Sequence, residues 1–552
     1  MLAGSTAATG TRVEGVPTAG ALDRAEGWAL DGYRAGVAAI TLGLGTFLLW
    51  HLHAWPPHED ETLAFFISRQ PVGTVFDTVL TDRGGAPLHF LLAHVATVLA
   101  PGLTALRLIS VAFAVASMPV VAALVARLAD RRTALLATLL VAMSWVTLLH
   151  AIYARMYSLF LFTSTLSFLL LLRALERGSV LRWALWGFAT LALLATQPYG
   201  ALVLGVQAAY VLVRRRRDAF PFRRALVAFA VVTVVALPLW RSYYLLASRF
   251  EVGFGDRNGS KLGSPVGVLE YLWATLGDFT AGWLPVSLLA AGLALAGVVV
   301  LARTRPGSAF LALGVVVIPA LSFVVARSGA SASLETRHLI FVLPFFAMVV
   351  ALGLQRAARA ARSLGPLVLA LGLAVLLSAQ VAWGWERTPW LYEGEPQARV
   401  EARDLTASWL AATGRPDDVL FGYEPTYLDA WEKGAPFGDI FIPRADPTLA
   451  LERLHSIPQP LGRGVWVLDA SDHLDKKDVR LEIERRSPGF GFEARAFGPF
   501  LVIRTTEPTR TIQNFLLETI RVQNLGWALG IGDAGINYQT AVTALRKLRG
   551  SG

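Results

Sequence analysis

The stretch HLHAWPPHEDETLAFF holds the densest chemistry in the chain. Glu59, Asp60 and Glu61 form an acidic triplet between an apolar run ending near residue 53 and a second apolar stretch, Pro87 to Ala100. A carboxylate placed there can serve as a general base if it reaches an acceptor hydroxyl by a hydrogen bond. Partial removal from water would raise its pKa. A plainer role is open to the same residues, because Asp60 could cap a helix starting near Thr62. Asp82 adds a further acidic group just before the second apolar stretch. His51, His53, His58, His89 and His94 crowd this region, five of the nine histidines in the chain. With the triplet they could ligate a divalent metal. Their spacing matches no closed metal motif, and water or backbone groups would satisfy them as well.

Basic groups recur further along. Arg155 stands in HAIYARMYSLFLF between Tyr153 and Tyr157. A guanidinium binds phosphate through paired hydrogen bonds, while tyrosines at that place also suit an aromatic belt. Arg337 and His338 stand in LETRHLIFVLPFF, and Arg107 in LTALRLISV. Three arginines facing a carboxylate cluster would suit a substrate with a lipid tail, a phosphate and a sugar. The 242–282 stretch, with Tyr243, Tyr244, Arg249, Lys261 and Trp273, is long enough to cover such a site or simply to connect.

The elements that must position these residues belong to a membrane protein. Hydrophobic residues make up 54% and charged residues 16%, against about a quarter charged in soluble domains. Runs near 33–53, 103–126, 133–149, 156–173, 180–197, 199–213, 225–241, 283–303, 308–326, 338–355 and 366–385 predict about eleven spans, each needing roughly 20 apolar residues. The net charge of +10 sits largely in arginine clusters between runs: Arg127, Arg131, Arg132; Arg173, Arg177; Arg214 to Arg217; Arg303, Arg305; Arg356, Arg359, Arg362. This is orientation charge for a bilayer, which makes those loops cytoplasmic, and it argues against nucleic acid as a partner. The intervening loops, with the acidic triplet and Arg155, then face outward. Pro87–Ala100 is too short to span and would invert every later loop, so it reads as an interfacial or re-entrant helix.

Residues 1–30 read as a disordered cytoplasmic tail with no cleavable signal peptide. Residues 31–385 form the membrane domain. Residues 386–552 read as a soluble extracytoplasmic α/β domain with a helical tail after Thr505. In it ARDLTASWLAAT is an amphipathic helix, and DDVLFGY, RGVWVLDA and AFGPFLVIR are strands. Asp469 and Asp472 lie just past a strand end, where ligands often sit in such sheets. The absence of cysteine excludes disulfides and thiolate metal sites.

Several blocks together resemble the C-type glycosyltransferases that use lipid-phosphate sugars, close to the protein O-mannosyltransferases and the aminoarabinose transferase of lipid A. They are Asp60-Glu61 after the first span, APLHFLL with Pro87 and Leu88, Arg107 with Ser110, and Arg155 with Tyr157 in ARMY. Arg337 of RHLIFVLP matches a later arginine element. The resemblance covers roughly residues 33–360. It implies a polytopic α-helical fold and an inverting transfer of a hexose or pentose from a polyprenyl-phosphate donor. The acceptor would be a glycan, lipid or protein hydroxyl at the outer face of the cell membrane. Asp60 would be the base, with Glu61 and Asp82 beside it. Arg107, Arg155, Tyr157, Arg337 and His338 would bind substrate. Departures stand at Tyr153, where many relatives have Glu, and at Gln197, where many have His. Ala86 stands in place of a second proline, and His338 in place of Tyr; these positions bear on the sugar and on any metal dependence. Two other classes fit a polytopic chain. A flippase of lipid-linked sugars would show internal repeats or broken, charged helices at the midplane, whereas the chain shows no repeat and few mid-span charges; a non-catalytic assembly protein would not need the acidic triplet.

Overall fold

The computed structural model describes residues 19–215, 221–249, 263–325, 335–437, 441–444, 446–470, 491–528, 530–531 and 534–550. Arg216, Arg217, Lys261, Asp472, residues 1–18 and most of the 327–337 stretch lie outside them.

Helix α1 (Ala19–Trp50) leads into the acidic loop, followed by α2 (Glu59–Ser68), α3 (Val72–Asp77) and α4 (Leu88–Leu99). The long apolar helices come next: α5 (Leu103–Leu128), α6 (Arg131–Ala142), α7 (Trp145–Ile152), α8 (Tyr157–Arg177), α9 (Val180–Thr196) and α10 (Gly200–Arg214). They continue through α11 (Phe222–Val235), α12 (Leu237–Arg249), α13 (Pro265–Thr280), α14 (Leu284–Thr304), α15 (Pro306–Val325), α16 (Leu343–Ala360) and α17 (Gly365–Arg387). The segment expected to be a disordered tail up to residue 30 is helical from Ala19 onward.

Among the described residues seven stretches are long and apolar enough to cross a membrane, and up to nine if each bent pair is one span. The pairs α6–α7 and α11–α12 each bend by 56°. The first breaks at Ser144, whose extended backbone starts α7. The second breaks before Pro238, a residue tolerated only in the first turn of a helix. Reaching the eleven expected spans would also need α9 and α10, of 17 and 15 residues. At 1.5 Å per residue these fall short of a hydrocarbon core of about 30 Å. Much of the 242–282 stretch, expected as a covering loop, is helix: α12 runs on to Arg249 and α13 begins at Pro265.

The C-terminal part holds α18 (Trp390–Glu393), α19 (Gln397–Thr413), β1 (Val419–Phe421), α20 (Pro425–Glu432), β2 (Phe441–Ile442), α21 (Pro447–Ser456) and β3 (Gly464–Asp469). A hairpin β4 (Phe492–Phe497) and β5 (Phe500–Thr505) follows, then α22 (Ile512–Ala528) and α23 (Ala534–Gly550). The sheet order is β2-β1-β3-β5-β4, parallel across the first three strands and antiparallel at β5 and β4. AFGPFLVIR is thus the end of one strand, a turn at Gly498 (φ +54°) and a second strand. Side chains alternate across the sheet. Trp466 and Leu468 join a core with Phe515 and Leu516 of α22. Val465 and Val467 face the other way, into a core that includes Leu63, Phe65 and Phe66 of α2, Phe90 of α4 and Phe441 of β2. One hydrophobic core therefore joins the sheet to the helices that carry the acidic loop.

Candidate active site

Asp60 is placed by a helix start. His58 caps α2: its Nδ1 accepts the Asp60 amide at 3.1 Å, and the Glu61 carboxylate accepts the His58 amide at 3.0 Å. This reciprocal cap fixes the first turn and leaves the Asp60 side chain 24% exposed. The Tyr153 hydroxyl lies 2.9 Å from both Asp60 Oδ2 and His58 Nδ1. Because His58 Nδ1 already receives a backbone proton, the single Tyr153 proton goes to the carboxylate. Burial alone would raise the Asp60 pKa. The Arg155 and Arg337 cations and the Tyr153 hydrogen bond outweigh it and hold the carboxyl well below the usual range.

Glu61 and Arg107 form a buried brace. Glu61 is 0% and Arg107 1% exposed, and they meet in a two-pronged pair at 3.0 and 2.9 Å. Arg107 also donates to the carbonyls of Leu52, Trp55 and Pro56, and Glu61 accepts the Ala154 amide at 2.8 Å. Ser110, one helical turn on from Arg107, donates toward the carbonyls of Tyr153 (2.8 Å) and Arg155 (3.2 Å). The two residues therefore tie the acidic loop to the Tyr153–Arg155 turn. Glu61, expected beside Asp60 among the catalytic acids, and Arg107, expected to bind substrate, are here bonded to each other. Their polar atoms are already paired within the protein.

Three other arginines gather at Asp60. Arg155 approaches it at 3.7 Å through Nε, an atom that is buried without a hydrogen bond. Arg337 lies over the Tyr157 ring, 5.1 Å from its centroid, and pairs with Glu335 at 2.7 Å. His338 stacks on Tyr199 at 4.6 Å and receives the Glu335 amide at 3.2 Å, so it supports the turn that presents Arg337. Arg83 is the third. It sits within electrostatic reach of Asp60, Arg155, Tyr423 and Asp446, and burial and the Arg155 cation lower its pKa. Sequence reading passed over Arg83 and chose its neighbour Asp82, which is exposed and accepts a hydrogen bond from Thr81. The missed signal is the pair Gly84-Gly85. Both have positive φ, +81° and +130°, and such a turn re-aims the residue before it. Ser242 of α12 grips that turn, with its Oγ 2.8 Å from both the amide and the carbonyl of Gly85.

The histidines do not come together. His51 bonds the Phe47 carbonyl, His94 bonds the Ser68 carbonyl and His58 is the helix cap. Among the described residues no three His, Asp or Glu side chains are grouped to hold a metal ion. Asp469 pairs with Arg399 at the C-terminal end of β3. The α/β domain reaches the cluster through Arg444, which pairs with both Glu59 and Glu424, and through Tyr423 beside Arg83.

No protein-family model and no curated protein sequence matches the chain. Solved structures do. ArnT from Cupriavidus metallidurans bound to undecaprenyl phosphate superposes with a TM-score of 0.56 at 15% identity, over 86% of this chain and 98% of that one. The same protein in the apo state gives 0.54 at 17% identity, with the same coverage. The apo oligosaccharyltransferase of Archaeoglobus fulgidus gives 0.52 at 12% identity, over 82% of this chain and 70% of that one. The likeness is one of fold: the chain has the GT-C fold of these proteins.

Proposed function

We propose that the chain is a multi-pass membrane glycosyltransferase. It moves a sugar from a polyprenyl-phosphate donor to an acceptor hydroxyl, with inversion at the anomeric carbon. The observation that carries this reading is a partly open carboxylate, Asp60, with Arg155 3.7 Å away and the Arg83 and Arg337 guanidiniums within electrostatic reach. The fold shared with ArnT, whose structure holds undecaprenyl phosphate, supports the choice of donor class. The arginine-rich loops favour eleven spans, with this cluster and the α/β domain on the extracytoplasmic side of the plasma membrane.

In this reading the acceptor oxygen loses its proton to Asp60 and attacks the anomeric carbon. The bond from that carbon to the phosphate oxygen breaks, and the lipid phosphate leaves with the electron pair. Arg83, Arg155 and Arg337 stabilise the phosphate charge as it develops. Tyr153 aims the carboxylate, Tyr157 and His338 set Arg337, and the Glu61–Arg107 pair fixes the loop. With its pKa held down by arginines, Asp60 is a poor base until the donor phosphate draws those cations toward itself. Phosphate binding then raises the basicity of Asp60 at the moment it is needed. The acceptor is a glycan, lipid or protein hydroxyl, and no step is routed through a metal.

Asp60→Asn tests the reading. The variant keeps its affinity for undecaprenyl phosphate while transfer falls by about 10²–10⁴-fold, the usual contribution of a general base. Transfer at the wild-type rate would overturn the mechanism, and a wild-type chain that fails to bind undecaprenyl phosphate would overturn the donor class.

A further inference from the structure

His89 is the second residue of α4, immediately after Pro87-Leu88. Its ring is 1% exposed, and neither nitrogen makes a hydrogen bond of normal geometry, with the Ala154 carbonyl the backbone group within reach of it. A buried polar group without a partner costs about 1–3 kcal/mol, and most such groups in native proteins have a partner or a functional reason to lack one. The ring sits beside the cluster described above: Arg155 and Asp60 act on it electrostatically, and the Ala154 carbonyl is near. Burial and the Arg155 cation lower its pKa to about 3, so the imidazole is neutral. The reading of the site as a glycosyl-transfer centre gives Arg83, Arg155, Arg337, Tyr153 and Tyr157 their roles and leaves His89 without one.

We propose that His89 is a specificity-determining residue that hydrogen-bonds hydroxyls of the donor sugar. This rests on the glycosyltransferase reading and extends it to sugar recognition. The chemical argument concerns matching. A neutral imidazole offers one N–H donor and one lone-pair acceptor. A phosphodiester offers acceptors only and would leave the second nitrogen unpaired. Sugar hydroxyls both donate and accept, so a diol satisfies the ring completely. The place fits as well. The sugar is bonded to the phosphate that the arginines hold, and His89 stands within electrostatic reach of both Arg155 and Asp60. Arg155 leans on Asp60 at 3.7 Å; when the phosphate draws that guanidinium away, the cation closest in influence to the ring leaves with it. A site built to bond a hydroxyl discriminates strongly against a ligand lacking it, because its own polar atoms are then left unpaired.

The test uses the full-length chain in lipid nanodiscs. Three probes are titrated: undecaprenyl phosphate, undecaprenyl-phosphoryl mannose and undecaprenyl-phosphoryl arabinose. The wild type binds one sugar-bearing lipid at least tenfold tighter than the other. His89→Leu binds undecaprenyl phosphate within about twofold of wild type and loses the preference between the two sugars. His89→Gln, which offers both a donor and an acceptor, keeps most of that preference and serves as the folded control if the leucine variant is unstable. Absence of a sugar preference in the wild type, or a preference unchanged in His89→Leu, overturns the proposal. Equal weakening of all three lipids by the leucine variant also overturns it, since that marks a structural role. Failure of the wild type to bind undecaprenyl phosphate at all refutes the glycosyltransferase reading itself and is a distinct outcome.

Discussion

Asp60 carries two opposed demands. It stays ionised among buried groups, and in the proposed reading it must also be basic enough to take a proton. The arginines meet the first demand and work against the second, which makes the pH profile informative. A kcat/KM profile reports groups of the free enzyme, and a kcat profile those of the bound complex. In the free enzyme the carboxyl titrates below its ordinary range, so kcat/KM stays level as pH falls past the usual Asp value of about 3.9. With phosphate bound to the arginines the pKa rises, so the acid limb of kcat lies at higher pH than that of kcat/KM. Coincident limbs would show that the arginines do not transfer their attention to the phosphate. At this scale the sequence was uneven to read. Asp60 and Arg155 stood out because charge beside apolar runs is costly unless it is used. Arg107 stood out for the same reason and serves the Glu61 brace instead, since a sequence does not say which carboxylate a guanidinium meets. Arg83 and Tyr153 were hidden because their roles depend on a turn and on a partner 93 positions away.

Helix α12 controls where Arg83 points. The chain turns back at Gly84-Gly85, and a Cβ on Gly84 would lie 2.5 Å from the Leu246 amide nitrogen and 2.7 Å from the Ser242 carbonyl. The positive φ adds strain for any L side chain there, of order 1–3 kcal/mol. Gly84→Ala therefore pushes the turn off α12 and displaces Arg83. We expect about a tenfold loss of affinity for undecaprenyl phosphate with folding retained, read by lipid titration beside a thermal melt. Unchanged affinity would separate Arg83 from the phosphate. Hydropathy locates apolar segments and is blind to a bend. The 133–149 and 225–241 runs looked like plain spans, and their 56° breaks come from Ser144 and Pro238, single residues inside apolar surroundings. Length was the better guide for α4: at 12 residues it is too short to span by itself.

The two halves of the molecule share a core. Phe66 of α2 and Phe441 of β2 pack with ring centroids 4.2 Å apart, and the Arg444 side chain ties Glu59 to Glu424 above them. Removing a buried phenylalanine costs about 3–5 kcal/mol. Phe441→Ala should loosen the sheet domain while leaving the membrane helices intact. Limited proteolysis will then cut faster in the 388–396 linker, and transfer will slow because Tyr423 no longer backs Arg83. Equal cleavage rates in variant and wild type would show that the joint does not hold the domain. The strands themselves were readable from their alternation. The joint was not, because nothing local in HEDE announces a partner 385 positions away. That separation has a consequence for biosynthesis. Translation adds roughly 5–20 residues each second, so the acidic loop waits about 20–80 s for Arg444 to be made. Over that interval the nascent chain carries Asp60, and then Arg155 as well, without the wall that the last third of the chain supplies. In the proposed reading, an unfinished chain therefore cannot meet donor lipid with a complete site.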